Sequence, residues 1–182
     1  MRSDVEALNA ALEVMRDEVN QALLDLIQAE LEHGAGEVAV EAGRVLNAGG
    51  KRLRPLLFLL AYRVAGGTNT DDVMPLALAF ELIHTATLVH DDINDEARHR
   101  RGIPTIHAQA GQAKAVIAGD WLFVQGFGLG GRYSEQIVSI IARCCANIAV
   151  SEFHQLDHVL NLATTPEDLS LIHISEPTRP YL

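Results

Sequence analysis

Cysteine is scarce in this chain of 182 residues, and its two cysteines are neighbours, Cys144 and Cys145. Adjacent cysteines disfavour a structural disulfide, and they lack the spacing of a metal-binding cysteine cluster. We expect both to be small, buried apolar residues.

Basic residues are in the minority as well. The chain has 14 Lys and Arg against 24 Asp and Glu, a formal net charge of −10, which argues against general nucleic-acid binding. Any phosphate site must therefore be local. No uninterrupted apolar run approaches the roughly 20 residues of a membrane span, and residues 1–12 lack the charged-then-apolar order of a signal peptide. We therefore expect a cytoplasmic protein.

The chain is rich in apolar residues with a helical period. Hydrophobic residues make up 48% of it, enough for one domain with a sizeable core. Apolar residues recur at steps of three and four from Val5 to Ile27, which is typical of an amphipathic helix. The run LLFLLAYRVA after Pro55 is apolar nearly all round, as in a core helix. Similar patterns predict helices over 36–46, from about 73 to the acidic run, over 111–126 and over 134–162, with GFGLGGR as the loop between the last two. No strand pattern is as strong, so we predict an all-α fold.

One of these predicted helices leads into the acidic run HDDINDE, and Gly102 with Pro104 is expected to end it. Asp91 and Asp95 are four residues apart and stack one turn apart on the helix, with His84 and Thr87 on the same stripe. Two carboxylates at this spacing repel each other unless a cation lies between them. Mg²⁺ suits such a pair, because it takes one or two carboxylates and keeps other positions for water and phosphate oxygens. Asp92 could add or support a ligand. Spacing alone does not separate this metal site from the solvated end of a core helix.

A basic segment, GGKRLRP, precedes an earlier helix. Lys51, Arg52 and Arg54 lie just before or in its first turn, where cations oppose the helix dipole. A bound anion would resolve this conflict, since backbone N–H groups, Lys51 and Arg54 could together hold a diphosphate. Further cations at 98, 100 and 101 follow the acidic run. Two basic clusters and one acidic stripe are what two diphosphates and bridging Mg²⁺ would require.

The motifs GGKRLRP, ELIHTATLVHDDINDEARHRRGIPT and AVIAGDWLF occur in this order. They closely resemble successive motifs of the trans-polyprenyl diphosphate synthases, and the resemblance runs from about Ala11 to Asp168. It implies the all-α isoprenoid synthase bundle, of which residues 1–168 would form the N-terminal portion. Small residues at Ala86 and Thr87, where shorter-chain relatives have an aromatic residue, make the chain similar to a medium- or long-chain synthase. The family's full-length enzyme is expected to be a homodimer.

The resemblance also implies roles for individual residues. Isopentenyl diphosphate would be held by Lys51, Arg54, His84 and Arg101. The carboxylates Asp91, Asp92 and Asp95 would bind Mg²⁺ and through it the allylic diphosphate, which Arg100 would contact directly. Pyrophosphate would leave as the metal and the arginines stabilise it, and the double bond of isopentenyl diphosphate would attack the allylic cation in a 1′-4 head-to-tail condensation, which loss of a proton would complete.

Two rival functions stay open at this point. His84 and the pair His90-Asp91 would also suit an HD-type metal phosphohydrolase, although such a site needs further histidines and leaves GGKRLRP unexplained. A non-catalytic subunit of a heteromeric synthase is the other alternative. Damaged Asp-rich motifs would mark such a subunit, and the first motif here is whole.

The chain departs from the family pattern toward its end. Ser151 stands where the GE..Q motif has Gly, while Glu152 and the predicted substrate ligand Gln155 are kept; His107 and Ala110 replace the usual Asn and Trp. The family's second Asp-rich motif does not occur in these 182 residues. Residues 169–179, LSLIHISEPTR, resemble the translation of a transposase sequencing adapter, and the alternative is a native loop. We expect 169–182 to be a non-native tail and the truncated chain to be inactive.

Overall fold

The computed structural model describes residues 2–158, 161 and 163–166. They form two compact units, one ending at Arg132 and the other beginning at Tyr133. Within its described residues, the second unit contains α7 (Glu135–His158). The first contains a single 3₁₀ turn at Thr70–Asp72, six α-helices and a hairpin: α1 (Arg2–Glu32), α2 (Gly36–Asn47), α3 (Leu53–Val64), α4 (Met74–Asn94), β1 (His99–Arg100), β2 (Ile103–Pro104), α5 (Ile106–Ala110) and α6 (Gln112–Gly130). The all-α prediction is confirmed.

Helix α4 is the centre of the first unit. Its most extensive packing is against α6, and α1, α2 and α3 pack around it. The largest fully buried side chains come from five helices, Val19, Leu23, Leu46, Leu59, Leu82 and Leu122. Burying a side chain of this size stabilises the fold by about 1.5–3 kcal/mol.

The predicted loop GFGLGGR is wrong, because α6 continues through it to Gly130. A Cβ at Gly126 would lie 2.8 Å from Ile83 Cγ1 and 3.2 Å from the Ala79 carbonyl oxygen of α4. Glycine is required there by the close approach of two helices and not by a turn. The loop is confined to the residues between Gly130 and Glu135.

Two expectations about burial are also corrected. Helix α3 buries Leu56 and Leu59, but Leu57 is 64% exposed, so within the described residues only one face of this apolar helix is in the core. Cys144 is exposed and Cys145 is only partly buried, so within the described part of the chain neither behaves as a core residue.

Within the described residues, the segment Glu135–Leu156 of α7 is long and apolar enough to cross a membrane by length and composition alone. A core helix passes the same test, so this single helix is weak evidence. The expectation of no membrane span is not confirmed. The predicted boundary after Asp168 lies outside the described residues and stays a prediction.

Candidate functional site

The hairpin presents two of the predicted arginines. Arg100 pairs with Ile103 across it, and the two residues between them, Arg101 and Gly102, have φ angles of 53° and 80°. Positive φ at both central residues is the requirement of a type I′ turn. The Arg101 guanidinium donates through Nη1 to the carbonyl of Gly49. The turn therefore brings Arg101 against the glycine pair that opens GGKRLRP.

Residues after the hairpin hold its base. The carbonyl of Ala97 accepts a hydrogen bond from Thr105 Oγ1 at 2.8 Å and one from His107 Nε2 at 2.7 Å, so the Nε2 atom of His107 carries the proton. Arg44 on α2 donates to the Pro104 carbonyl at 2.7 Å. His107, a departure from the family pattern, therefore closes the loop that carries the arginines.

Helix α4 ends in a Schellman motif. The Ala97 N–H bonds the Asp92 carbonyl at 2.9 Å, and the Glu96 N–H bonds the Ile93 carbonyl at 3.2 Å. Glu96 occupies the left-handed position with φ of 52°, where Gly is the usual residue. The sequence placed the end of this helix near Gly102 and Pro104, but it ends at Asn94, because the backbone of Glu96 supplies the turn.

The three predicted metal ligands lie at this end of α4 in different environments. Asp92 is buried, and its Oδ1 accepts a hydrogen bond from Arg100 Nε at 2.6 Å. Asp95 is exposed and caps the helix, and its N–H bonds the Asp91 carbonyl at 2.8 Å. Among residues 2–158, 161 and 163–166, no three His, Cys, Asp or Glu side chains converge as a metal site. The structure thus shows Asp92 as the ion-pair partner of Arg100.

Asp91 and Asp95 nevertheless fit a divalent cation. Asp91 lies in the last turn of α4 and Asp95 is its C-cap, and at this end of a helix a negative charge opposes the dipole. A cation bound between them would remove both this unfavourable term and their mutual repulsion. Two carboxylates match the number that Mg²⁺ takes from protein when phosphate and water complete its shell.

Two of the predicted isopentenyl diphosphate ligands, Arg54 and Arg101, lie close enough to a third, His84, to affect its titration. Burial lowers the pKa of His84 to about 4, helped by the positive charges of Arg54, Arg101, Arg100 and Arg52 in that order. His84 is therefore neutral at pH 7 and can donate one hydrogen bond. Lys51, the fourth predicted ligand, is exposed and directly precedes Arg52 in the chain. In a chain of net charge −10, this local concentration of cations is suited to an anion.

Sequence reasoning missed a buried partner of this cluster. Glu81 accepts a hydrogen bond from Arg52 Nη1 at 2.7 Å, and both side chains are 3% exposed. The signal was present, because Glu81 is an isolated carboxylate in the apolar run LALAFELI and a buried charge needs a partner. Arg52 belongs to the interior, whereas its neighbours Lys51 and Arg54 are exposed.

The geometry does not favour the HD-type phosphohydrolase. His90 packs against α6, with Nε2 3.3 Å from the Val116 carbonyl and 3.5 Å from Asp120 Oδ1. Its ring stacks on Phe123 with centroids 6.0 Å apart. The ring of His90 is therefore part of the α4–α6 contact.

Gln155, the remaining predicted substrate ligand, lies on α7 in the second unit, where it is exposed. Its role stays a prediction. Residues 169–182 lie outside the described residues.

Comparison with known proteins identifies the family. The sequence model of the Polyprenyl synthetase family matches residues 38–175, which is most of the chain. This chain belongs to the polyprenyl synthetase family. The match includes GGKRLRP, the acidic run and the hairpin, and it extends past Asp168 into the expected tail.

Several relatives show how much of the family's length is present. A geranylgeranyl diphosphate synthase of Methanosarcina mazei is 38% identical over 128 residues, which cover 66% of this chain and 39% of that protein. An all-trans-nonaprenyl-diphosphate synthase (geranyl-diphosphate specific) of Rhodobacter capsulatus is 48% identical over 85 residues, covering 47% and 26% respectively. The chain thus spans less than half the length of these curated relatives.

A solved structure shows the same partial coverage and a similar fold. The polyprenyl synthase of Caulobacter crescentus, complexed with calcium and isoprenyl diphosphate, superposes with a TM-score of 0.81 at 36% identity. The superposition covers 92% of this chain and 50% of the other. The isoprenoid synthase fold predicted from the motifs is confirmed.

Proposed function

We propose that this chain forms the isopentenyl diphosphate site and the first metal-binding wall of a trans-polyprenyl diphosphate synthase. The observation that carries the proposal is the cationic cluster around His84, where burial first, and then the nearby charges of Arg54 and Arg101, lower the pKa of the imidazole to about 4. Several cations gathered around a part-buried imidazole are costly for the fold alone. A diphosphate would offset that cost, and its oxygens suit the planar guanidinium donors.

The residues of the cluster would act by binding and orientation. Arg54, Arg101 and Lys51 would hold the two phosphates, with Lys51 as a mobile point charge and the arginines as forked donors. His84 would donate one hydrogen bond from a neutral ring. Such a clamp fixes the homoallylic double bond relative to the carboxylate end of α4, and correct orientation is a large part of the rate enhancement in a two-substrate reaction.

Asp91 and Asp95 would hold Mg²⁺, which when bound would neutralise the diphosphate leaving group of the allylic substrate. The calcium in the Caulobacter crescentus structure supports a divalent cation in this family. Asp92, predicted as a third ligand, would instead hold Arg100 toward that diphosphate, because the two side chains already form a part-buried ion pair. No nucleophilic side chain is needed.

Calorimetric titration of isopentenyl diphosphate into the protein tests the proposal. The double change Arg54→Gln, Lys51→Gln should abolish measurable binding. Arg63→Gln is the matched control, because Arg63 is an exposed arginine at the other end of the same helix. If Arg63→Gln lost binding equally, the loss would be explained by the net charge of the protein. If the double variant bound isopentenyl diphosphate as before, the assignment of Lys51 and Arg54 as its ligands would be overturned.

The remaining features of the enzyme are part of the same proposal. We expect the full-length form to be a cytoplasmic homodimer that makes a medium- or long-chain all-trans product, and the 182 residues to be inactive alone. The first Asp-rich motif is whole, which favours a catalytic chain over a non-catalytic subunit. Of the two small residues before it, Ala86 is fully buried and Thr87 is only partly buried. Thr87→Phe, in a chimera completed with the Caulobacter crescentus C-terminal half, should shorten the product.

A further inference from the structure

The side chain of Arg52 joins three helices. Its Nε donates to Asn20 Oδ1 of α1 at 2.8 Å, its Nη1 to Glu81 Oε1 of α4 at 2.7 Å, and its Nη2 to the Leu46 carbonyl of α2 at 2.5 Å. The residue itself is the N-cap of a fourth helix, α3. All three guanidinium nitrogens are thus used, and Arg52 is 4% exposed.

This arrangement is a costly way to obtain stability alone. Arg52 has φ of 49° and ψ of 36°, the left-handed conformation that non-glycine residues rarely adopt. Its ion pair with Glu81 is fully buried, and a pair of this kind is commonly no more stabilising than apolar residues of the same volume. What a forked guanidinium adds is direction, because three hydrogen bonds to three fixed acceptors define the position of the backbone that carries it.

That backbone carries the diphosphate ligands. Lys51 precedes Arg52 and Arg54 follows it by two residues, and both are exposed. On α4, Glu81 lies three residues before His84, which places the buried pair one helical turn from the imidazole. The pair therefore connects the two segments that would hold the same diphosphate.

We propose that Arg52 and Glu81 are positioning residues, a buried strut that fixes Lys51 and Arg54 of the GGKRLRP segment relative to His84 for binding isopentenyl diphosphate. The inference rests on the proposed function above. Neither side chain touches the substrate; each acts through its neighbours along the chain.

The test uses Glu81→Gln and Arg52→Lys in the complete 182-residue chain. Glu81→Gln keeps the shape and one acceptor but leaves the guanidinium without its counter-charge, and Arg52→Lys keeps the charge but loses the fork. Ile27→Ala on α1 is the control, because it removes a buried side chain that packs on Gly43, seven residues beyond Asn20 in the chain. Thermal unfolding sets a temperature at which all four proteins are folded.

Calorimetry with isopentenyl diphosphate is the first measurement. We expect each strut variant to bind at least tenfold more weakly than the wild type, and Ile27→Ala to bind within threefold of it. Binding within threefold in both strut variants would overturn the inference. An equal loss in Ile27→Ala would overturn it as well, because general loosening of the fold would then suffice.

An NMR titration of the His84 ring is the second measurement, and it needs no ligand. If Glu81→Gln only removes a negative charge, the His84 pKa stays near 4 or falls. If it releases the segment and its arginines move away, the His84 pKa rises toward 6.5. A pKa that does not rise overturns the inference even where the wild type binds isopentenyl diphosphate. Failure of the wild type to bind, together with a pKa that rises in Glu81→Gln, overturns the proposed substrate and leaves the strut supported.

Discussion

Neutralising Asp95 and neutralising Asp92 should change the stability of the metal-free protein in opposite directions. Asp95→Asn removes a charge from an exposed position at the C-terminal end of α4, one turn from Asp91. Relief of the like-charge pair is worth about 0.2–0.5 kcal/mol, and relief of the unfavourable dipole interaction about 0.3–1 kcal/mol. We expect a gain of roughly 0.5–1 kcal/mol, which for a chain of this length raises Tm by about 1–4 °C.

Asp92→Asn acts on the part-buried ion pair between Asp92 and Arg100. The Asp92 side chain is 6% exposed and its hydrogen bond from Arg100 is 2.6 Å long, and a bond of this charged type contributes about 1.5–3 kcal/mol. The Arg100 side chain is 31% exposed, so solvent screening reduces the figure. We expect a loss of roughly 1–2 kcal/mol, or a fall in Tm of about 2–8 °C.

Thermal unfolding with and without Mg²⁺ measures both effects. At ten times its dissociation constant a ligand stabilises the folded state by about 1.4 kcal/mol, and this increment should appear in the wild type and in Asp92→Asn but not in Asp95→Asn. A lower Tm for metal-free Asp95→Asn than for the wild type would refute the repulsion argument. A full Mg²⁺ response in Asp95→Asn would refute the assignment of Asp95 to the metal.

Three further outcomes are expected. The pKa of His84 is lowered from 6.5 to about 4, so between these pH values the unfolded chain binds a proton that the folded chain does not bind. The contribution of His84 to the free energy of unfolding is therefore complete above pH 6.5 and is lost as the pH falls from 6.5 to 4. His84→Asn should flatten this part of a curve of stability against pH. Glu96→Gly should raise stability by up to about 1 kcal/mol in urea unfolding, since Gly adopts the left-handed C-terminal position without strain; a loss would mean that the Glu96 side chain has a role of its own. Gly126→Ala should cost about 1–3 kcal/mol because its Cβ would meet Ile83 and Ala79, while Gly128→Ala, with open space around it, should gain up to about 1 kcal/mol.

The sequence predicts the long helices well, because a period of three and four residues reports burial on one face. It fails where a residue type has more than one use. The glycines near 126–130 indicated a turn, but Gly126 serves a close helix crossing. The pattern of residues along α6 cannot distinguish a turn glycine from a packing glycine, since the residues that require glycine at 126 lie on another helix, α4.

The candidate site shows the same limit. Helical spacing placed Asp91 and Asp95 together, and family motifs named the arginines, so the identity of the ligands was accessible from sequence. The partner of Asp92 was not, because Arg100 reaches it through a type I′ turn and a Schellman motif in which Arg101 and Glu96 adopt left-handed conformations. Neither is a residue whose propensity predicts that conformation.

Helix α4 has two neighbouring edges with different uses: one positions the arginines, and the other faces the diphosphate that they are proposed to bind. Glu81 and Asp92 are eleven residues apart, about three turns, and so lie on the same edge, where both are buried. Each pairs with an arginine from a different segment, Arg52 ahead of α3 and Arg100 in the hairpin. His84 and Asp95 lie, also eleven residues apart, on the adjacent, more accessible edge.

The buried edge therefore anchors the two segments that carry the arginines, and the accessible edge faces the diphosphate that we propose those arginines bind. The two functions are separable, because a carboxylate on the buried edge can be replaced without touching the other edge. A change on the buried edge should then move cations relative to His84, while a change on the accessible edge should alter the binding of metal or diphosphate with the arginine segments left in place.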